Sequence, residues 1–328
     1  MTNILIIRTS SLGDIIHTLP AFAALRKNFP AARVTWIVER KGKDILELVP
    51  GIDEIVVVGS PGWRKKLRKS DQAAFDFQGL LKSGLIARLS GSKKRFGFHR
   101  HNLKEPLAAL FYTDRLEEIS ETDHVIGKNL GLLRLAGISE DKYEFPLEIP
   151  AALRNSVMEK IRVPDARSDP KLVLFNVGAA WPTKRWFPES WIAVLNDLKN
   201  EPLSPLLLWG TPEEESLARR VNQATGVPLA PFLSVRESLA LIEASALVVS
   251  GDTFALQAAC ALDVPVVGIF GPTTPKRNGP FHSRDKFVYY EIACSACYKR
   301  SCDSMDCLKL VRPEDVTALV RQTLEENA

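Results

Sequence analysis

Ile4-Leu-Ile-Ile7 is a short, unbroken run of β-branched and leucine side chains, and Arg8-Thr-Ser-Ser-Leu-Gly-Asp-Ile-Ile-His-Thr-Leu-Pro20 follows it directly. Apolar periodicity then continues to Phe29, with Ile15, Leu19, Phe22 and Leu25 on one face. A run of this kind reads as a strand buried on both faces, and the sequence after it as a tight turn and a helix capped by Ser10 or Ser11. Gly13 allows close backbone approach above the turn, and Asp14 falls in the first helical turn at the carboxyl end of the strand. Open α/β sheets bind their ligands there. Taken alone, Asp14 is as well explained by a favourable contact with the helix dipole.

The same alternation recurs. Arg33–Val38 and Glu54–Val58 read as strands with a short helix around 43–49 between them, Ala74–Phe77 as a short strand, and Gln78–Gly84 as a second glycine turn feeding a helix to Leu89. Lys93–Phe98 reads as a strand, Glu105–Tyr112 as an apolar helix and Asp123–Ala136 as a helix ended by Gly137. Pro146, Pro150, Pro164 and Pro170 punctuate a charged stretch, so residues 1–150 form one expected domain and 151–170 a linker. A second βα series occupies 171–312. Its expected strands are 171–175, 206–209, 246–250 and 264–270, and a last amphipathic helix spans 313–328. With 328 residues, two α/β cores of about 150 residues each are expected.

Composition narrows the class. The chain is 45% hydrophobic and 25% charged, and no apolar run approaches the roughly 18 residues of a membrane span, so a cytoplasmic protein is expected. The net charge of +4 is modest but uneven: Ser60 to Lys104 holds twelve Lys and Arg against two Asp and Glu. That region should meet an anionic partner, although a solvated helical face explains Pro61–Lys69 equally well.

The second half offers an anion site at Gly251-Asp252-Thr253, where free backbone N–H groups at a helix start and the Thr253 hydroxyl can hold phosphate oxygens. The nearby Thr183-Lys184-Arg185 adds a mobile and a forked cation. Asp252 does not suit phosphate and reads as a partner for a sugar hydroxyl or an amide.

Arg8–Pro20, Trp63-Arg-Lys65, Asp76–Ser83, Glu105–Tyr112, Lys184-Arg-Trp186, Trp209–Glu213, Gly251-Asp-Thr253 and Gly271-Pro272 occur in order across almost the whole chain. In these motifs the chain resembles the bacterial lipopolysaccharide heptosyltransferases of glycosyltransferase family 9. The resemblance implies an α/β protein of GT-B type, with two Rossmann-like domains facing across a cleft and the last helix crossing back onto the N-terminal domain. It implies inverting transfer of heptose from ADP-heptose to the Kdo-bearing inner core of lipopolysaccharide, with Asp14 as general base and no required cofactor. Thr183, Lys184, Arg185, Glu213, Leu233, Asp252, Thr253 and Gln257 would bind the donor, Glu213 at the ribose and Leu233 against adenine. Ser11, Gly13, Arg64, Lys65, Lys66, Lys82 and Arg100 would bind the acceptor, at the anionic inner face of the inner membrane. The pattern usual in the family, Asp-Thr-Gly-x-x-His, reads Asp252-Thr-Phe-Ala-Leu-Gln257 here. Phe254 and Gln257 therefore make a different nucleotide sugar the nearest rival.

Cys294, Cys297, Cys302 and Cys307 have the spacing of a zinc knuckle with cysteine in the usual histidine place, which makes zinc a candidate there and a nucleic-acid module a distant alternative. No nucleic-acid partner is expected, since that reading leaves Asp14 and the second-half motifs unexplained. His17, three residues from Asp14, can either hydrogen-bond its carboxylate or pack in the core.

Overall fold

The computed structural model describes residues 1–67, 72–120, 122–161 and 170–327. Arg68 and Lys69 of the basic segment and residues 162–169 of the expected linker lie outside the described residues. The chain divides into two units, Met1–Glu148 and Ile149–Ala328.

The first unit runs β1 (Asn3–Ile7), α1 (Leu12–Ile16), α2 (Leu19–Asn28), β2 (Arg33–Val38), α3 (Arg40–Leu46), β3 (Glu54–Val57), α4 (Trp63–Lys66), β4 (Gln72–Asp76), α5 (Leu81–Leu89), β5 (Lys94–Gly97), β6 (Asp114–Arg115) and α6 (Val125–Leu132). Its sheet is parallel throughout, in the order β3-β2-β1-β4-β5-β6. Ile4, Leu5, Ile6 and Ile7 are fully buried, as a central strand covered on both faces must be. Phe75 stacks on Phe77 and meets Phe96 at a tilt, and Phe22 packs on Trp36.

The helix expected to run on from Ser11 is broken in two. Pro20 has no N–H to give the carbonyl of Ile16, and Thr18 turns its hydroxyl back to the Asp14 carbonyl at 2.8 Å, so α1 ends and α2 starts afresh. The segment Glu105–Tyr112 forms a 3-10 helix over Pro106–Phe111 rather than an α-helix.

The second unit begins with α7 (Ala151–Ile161), inside the stretch read as a linker. Val157 is buried, and Arg154 and Lys160 pair with Glu243 and Glu237 on a helix of the same unit. Charged residues on its outer faces hid this helix's weak amphipathic pattern. There follow β7 (Lys171–Asn176), α8 (Pro188–Asp197), β8 (Leu203–Leu208), α9 (Pro212–Thr225), α10 (Val235–Glu243), β9 (Leu247–Gly251), α11 (Phe254–Ala261), β10 (Val266–Ile269), α12 (Pro275–Asn278), β11 (Lys286–Val288), α13 (Asp306–Lys309) and α14 (Pro313–Glu326). The sheet order is β11-β10-β9-β7-β8, again parallel. Val316 and Val320 of α14 are fully buried in this unit's own core with Trp191, Val267 and Val288. The apolar face of this last helix thus belongs to the second unit. Among the described residues, no helix is long and apolar enough to cross a membrane.

Candidate active site

In the first unit the chemistry gathers at the carboxyl end of β1. Ser11 donates to Asp14 Oδ2 through its backbone N–H at 3.1 Å and its hydroxyl at 2.8 Å, so the carboxylate is fixed from its N-terminal side. Arg8, the first residue after β1, brings Nη2 to 2.6 Å of Asp14 Oδ1 while its own side chain is only 8% exposed. Its other terminal nitrogen donates to the Phe77 carbonyl. Burial pulls the Asp14 pKa upward, but Arg8, the nearby His17 and the Ser11 hydrogen bonds outweigh it and hold the carboxyl at about 2. Asp14 is therefore an ionised, oriented carboxylate that remains a third exposed.

The loop that carries it is pinned from β4. Gln78 Oε1 accepts from Thr9 N, Thr9 Oγ1 and Ser10 N at 2.9, 3.1 and 3.1 Å. Asp76, fully buried, accepts from Gln78 N and Gly79 N and from the Tyr112 hydroxyl at 2.8 Å. Burial raises its pKa against these donors. His17 is buried and meets His124 edge to face at 6.0 Å, the packed alternative of its two readings.

Of the expected acceptor residues, Ser11 and Gly13 stand in the Asp14 turn. Arg64, Lys65 and Lys66 lie exposed on α4, Arg64 over the Trp63 ring at 5.4 Å and Lys66 3.9 Å from Glu54. Lys82 is exposed and 3.3 Å from Glu39, and Arg100 donates to His101 Nε2 at 3.2 Å.

The second unit's candidate residues meet at the carboxyl ends of β7 and β9. A Cβ on Gly251 would lie 3.0 Å from the Lys184 carbonyl oxygen, so the absence of a side chain lets the 182–184 turn approach the strand end. Lys184 Nζ then reaches Asp252 Oδ2 at 2.6 Å and the Asp252 carbonyl at 3.1 Å. The two residues read as separate donor contacts thus form one ion pair, Asp252 side chain 6% and Lys184 16% exposed. Trp181 lies under both Lys184 Nζ, 4.6 Å from its ring centroid, and Arg300 Cζ, 4.9 Å away.

Thr253 spends its hydroxyl on Asn176 and Ser250 at 3.0 and 2.9 Å, and Thr183 donates its hydroxyl to the Lys299 carbonyl at 2.7 Å. These hydrogen bonds hold the strand ends and the C-terminal loop together. Gln257, buried, donates to the Asn278 carbonyl at 2.7 Å and lies 3.4 Å from Asp252 Oδ1. It supplies an amide that ties α11 to α12. Phe254 is the first residue of α11 and partly exposed.

Arg185 donates to the Ala179 carbonyl at 2.7 Å and, with the exposed Glu213, lines an open hollow of about 480 Å³. The hollow does not include Lys184 or Asp252, so it marks the Glu213 side of the site and not the whole of it. Glu213 is held below the ordinary carboxyl range by its own backbone N–H, by Thr211 and by Arg185. Leu233 is 7% exposed, whereas its neighbour Phe232 is 62% exposed against Trp209 at 5.7 Å. The exposed aromatic surface at this place is that of Phe232, which sequence reasoning missed, as it did Arg8. The signals were available: an aromatic directly after Pro231, and a cation directly after a buried strand.

Cys307 is buried and Cys294, Cys297 and Cys302 are exposed, all four as free thiols. Among the described residues the ligand atoms gathered as for a metal ion are those of His99, His101 and Glu118, within 4.8 Å of one another, and no cysteine is among them. The four sulfurs are not within that mutual distance, yet burial and the charges of Cys294, Cys297 and Cys302, all lying near enough to act on it, push the Cys307 thiol pKa up. The turn from Cys302 to Cys307 has an internal reason for its shape, since Met305 N donates to Cys302 Sγ at 3.4 Å.

Two units with parallel sheets, each with its polar residues at the carboxyl ends of its strands, make an α/β fold of GT-B type. The sequence profile of glycosyltransferase family 9 (heptosyltransferase) matches residues 63–308, and the chain belongs to that family. It is 28% identical to lipopolysaccharide heptosyltransferase 1 of Pseudomonas aeruginosa, over 91% of this chain and 87% of that protein. It is 29% identical to the Salmonella typhimurium protein of the same name, over 85% and 91%. Its fold matches that of the Escherichia coli heptosyltransferase WaaC, solved with ADP, with a TM-score of 0.76 at 24% identity, covering 99% of this chain and all of that one.

Proposed function

We propose that this enzyme transfers heptose from ADP-heptose to the Kdo-bearing inner core of lipopolysaccharide with inversion, and that Asp14 is the general base. The observation that carries the reading is the Arg8–Asp14 pair: an ionised carboxylate, partly open to solvent, held at a strand's carboxyl end in the first unit. The names of the similar proteins and the ADP bound by WaaC support the acceptor and donor classes.

In the proposed step the acceptor hydroxyl oxygen attacks the anomeric carbon, the bond from that carbon to the diphosphate oxygen breaks with its electron pair, and the hydroxyl proton passes to Asp14. A carboxylate with a pKa near 2 is a weak base. It suits a transition state in which the sugar has become oxocarbenium-like before the proton leaves, because its charge also stabilises that cation. Lys184 has three N–H donors, and its contacts with the Asp252 carbonyl and carboxylate leave one to meet the charge growing on ADP. With the proton and the charge so handled, the step asks for no resident cofactor. The reading places the reaction at the inner face of the inner membrane, where a nucleotide-activated donor and a lipid-borne acceptor meet.

A second reading, transfer from another nucleotide sugar or to a later core acceptor, is favoured by Phe254 and Gln257. The test incubates purified protein with ADP-heptose and Kdo-lipid A, beside Asp14→Ala, and follows ADP release and product mass. One added heptose in the wild type alone supports donor, acceptor and base. No transfer with these substrates, but transfer from another nucleotide sugar, moves the conclusion to the second reading.

A further inference from the structure

Apart from Met1, every exposed large apolar side chain described in the first unit lies on α5 or on the 3-10 helix Pro106–Phe111. On α5, Leu81, Leu85 and Leu89 are 41%, 45% and 44% exposed; on the 3-10 helix, Leu107 and Leu110 are 63% and 76% exposed. At about 100° per residue the three α5 leucines fall within about 80° of arc. Lys82 lies about 20° beyond one edge of that stripe and Arg88 about 20° beyond the other. Residues three apart on a 3-10 helix eclipse, so Leu107 and Leu110 form a parallel row.

The two rows are locked side by side. A Cβ on Gly84 would lie 2.8 Å from Phe111 Cδ2 and 3.2 Å from the Ala108 carbonyl oxygen, so this glycine brings the helices to backbone contact. Leu81 N donates to Glu105 Oε2 at 2.6 Å at one end, and Arg95 Nε donates to the Phe111 carbonyl at 2.7 Å at the other. From Gln78 to Thr113 the chain carries seven Lys and Arg and one acid, and that acid is Glu105, already accepting from Leu81.

We infer that this leucine face is the surface by which the protein docks on a bilayer containing anionic phospholipid. An amphipathic face with leucines at its centre and long cations at its margins enters the headgroup boundary by burying the former and pairing the latter with lipid phosphates. Lys82 stands 3.3 Å from the exposed Glu39, a surface pair that lipid phosphate can replace. The one acid between Gln78 and Thr113 is already committed to Leu81, so the stretch itself offers a protein partner no carboxylate for reciprocal pairing. The inference names the contact surface for the membrane-borne acceptor of the proposed function. It rests on that reading for its purpose, though not for its geometry. The face starts at the turn whose Gln78 pins Thr9 and Ser10, so docking sets the Asp14 loop close to the lipid surface.

The experiment is sedimentation of the full chain with vesicles of phosphatidylethanolamine and phosphatidylglycerol, and with phosphatidylcholine alone, for wild type and Leu107→Ser/Leu110→Ser. The expected result is partition onto the anionic vesicles that falls about tenfold in the variant and about tenfold on zwitterionic vesicles. Circular dichroism confirms that the variant is folded, and its transfer to a deacylated, water-soluble acceptor should be unchanged. Vesicle binding needs no sugar chemistry, so failure of the proposed reaction leaves this result standing. Equal partition of variant and wild type, equal partition onto both vesicles, or no partition overturns the inference. So does a wild-type dimer that the variant dissociates without any vesicle binding, which would make the face a contact between copies.

Discussion

Arg8 and Asp14 are joined at 2.6 Å across the turn between β1 and α1, and the guanidinium is buried while the carboxylate is not. The cation is enclosed between Asp14 and the Phe77 carbonyl, whereas the anion keeps one side open. Arg8→Met removes the attraction and leaves the effect of burial, so the Asp14 pKa should rise. The acid limb of kcat/KM should move to higher pH, with a loss of about tenfold or more at neutral pH, a change of about 1.4 kcal/mol in the barrier. A rate and pH profile like the wild type's would show that Arg8 does not position the base.

Asp14 also links stability to pH. Its folded pKa of about 2 lies below the roughly 3.9 of an unfolded aspartate, so the pair stabilises the fold above about pH 4 and that stabilisation is lost as pH falls through the folded value. Urea unfolding of wild type and Asp14→Asn should differ by about 1 kcal/mol at pH 7, allowing for the carboxylate's exposure, and converge toward pH 2. A constant difference across that range would mean that the ionisation is not coupled to folding.

Lys184 and Asp252 are both largely buried at 2.6 Å. Removing either strands the other's charge, so Lys184→Ala and Asp252→Ala should each cost about 3 kcal/mol, and the double variant much less than the sum. Additive losses in thermal unfolding would refute the pairing. Donor KM should rise in every variant of the set.

Gln257 donates 2.7 Å to the Asn278 carbonyl, an exchange that alanine abolishes. Gln257→Ala should lose about 1 kcal/mol of stability and weaken donor binding. Gln257→His, which restores the family's usual residue, should keep the link to α12 and report through relative kcat/KM for different nucleotide sugars whether this position selects the donor. An unchanged preference in both variants would remove it from specificity.

Gly84 has no space for a side chain. Gly84→Val should push the Pro106–Phe111 helix from α5 and cost about 1–3 kcal/mol, seen as a lowered melting temperature. A stability equal to wild type would mean that the two helices separate at no cost.

The two sheets were legible in the sequence because parallel strands buried on both faces are continuous apolar runs, as at Ile4–Ile7 and Lys171–Phe175, and because Pro and Gly mark the turns between them. The short edge strands β6 and β11 were not, since two or three residues carry no period. Helix α7 was hidden in a charged, proline-bounded stretch, because it buries only Val157 and meets α10 through the pairs of Arg154 and Lys160, without a strong apolar stripe.

For the site, the sequence by itself determined which residue types stand at the strand ends: a carboxylate at 14, cations at 184 and 185, a carboxylate at 252. Backbone alternation fixes those positions locally, with the turn after each strand. Only the tertiary structure decided their partners. Arg8 is turned inward onto Asp14, Lys184 is shared with Asp252, Thr253 and Thr183 hydrogen-bond within their own unit, and Cys294, Cys297 and Cys302 are brought near Cys307. Pairing of this kind depends on the approach of segments distant in sequence, as Gly251 admits the Lys184 turn, and on the free energy of leaving a buried charge alone. Neither quantity is written in local pattern.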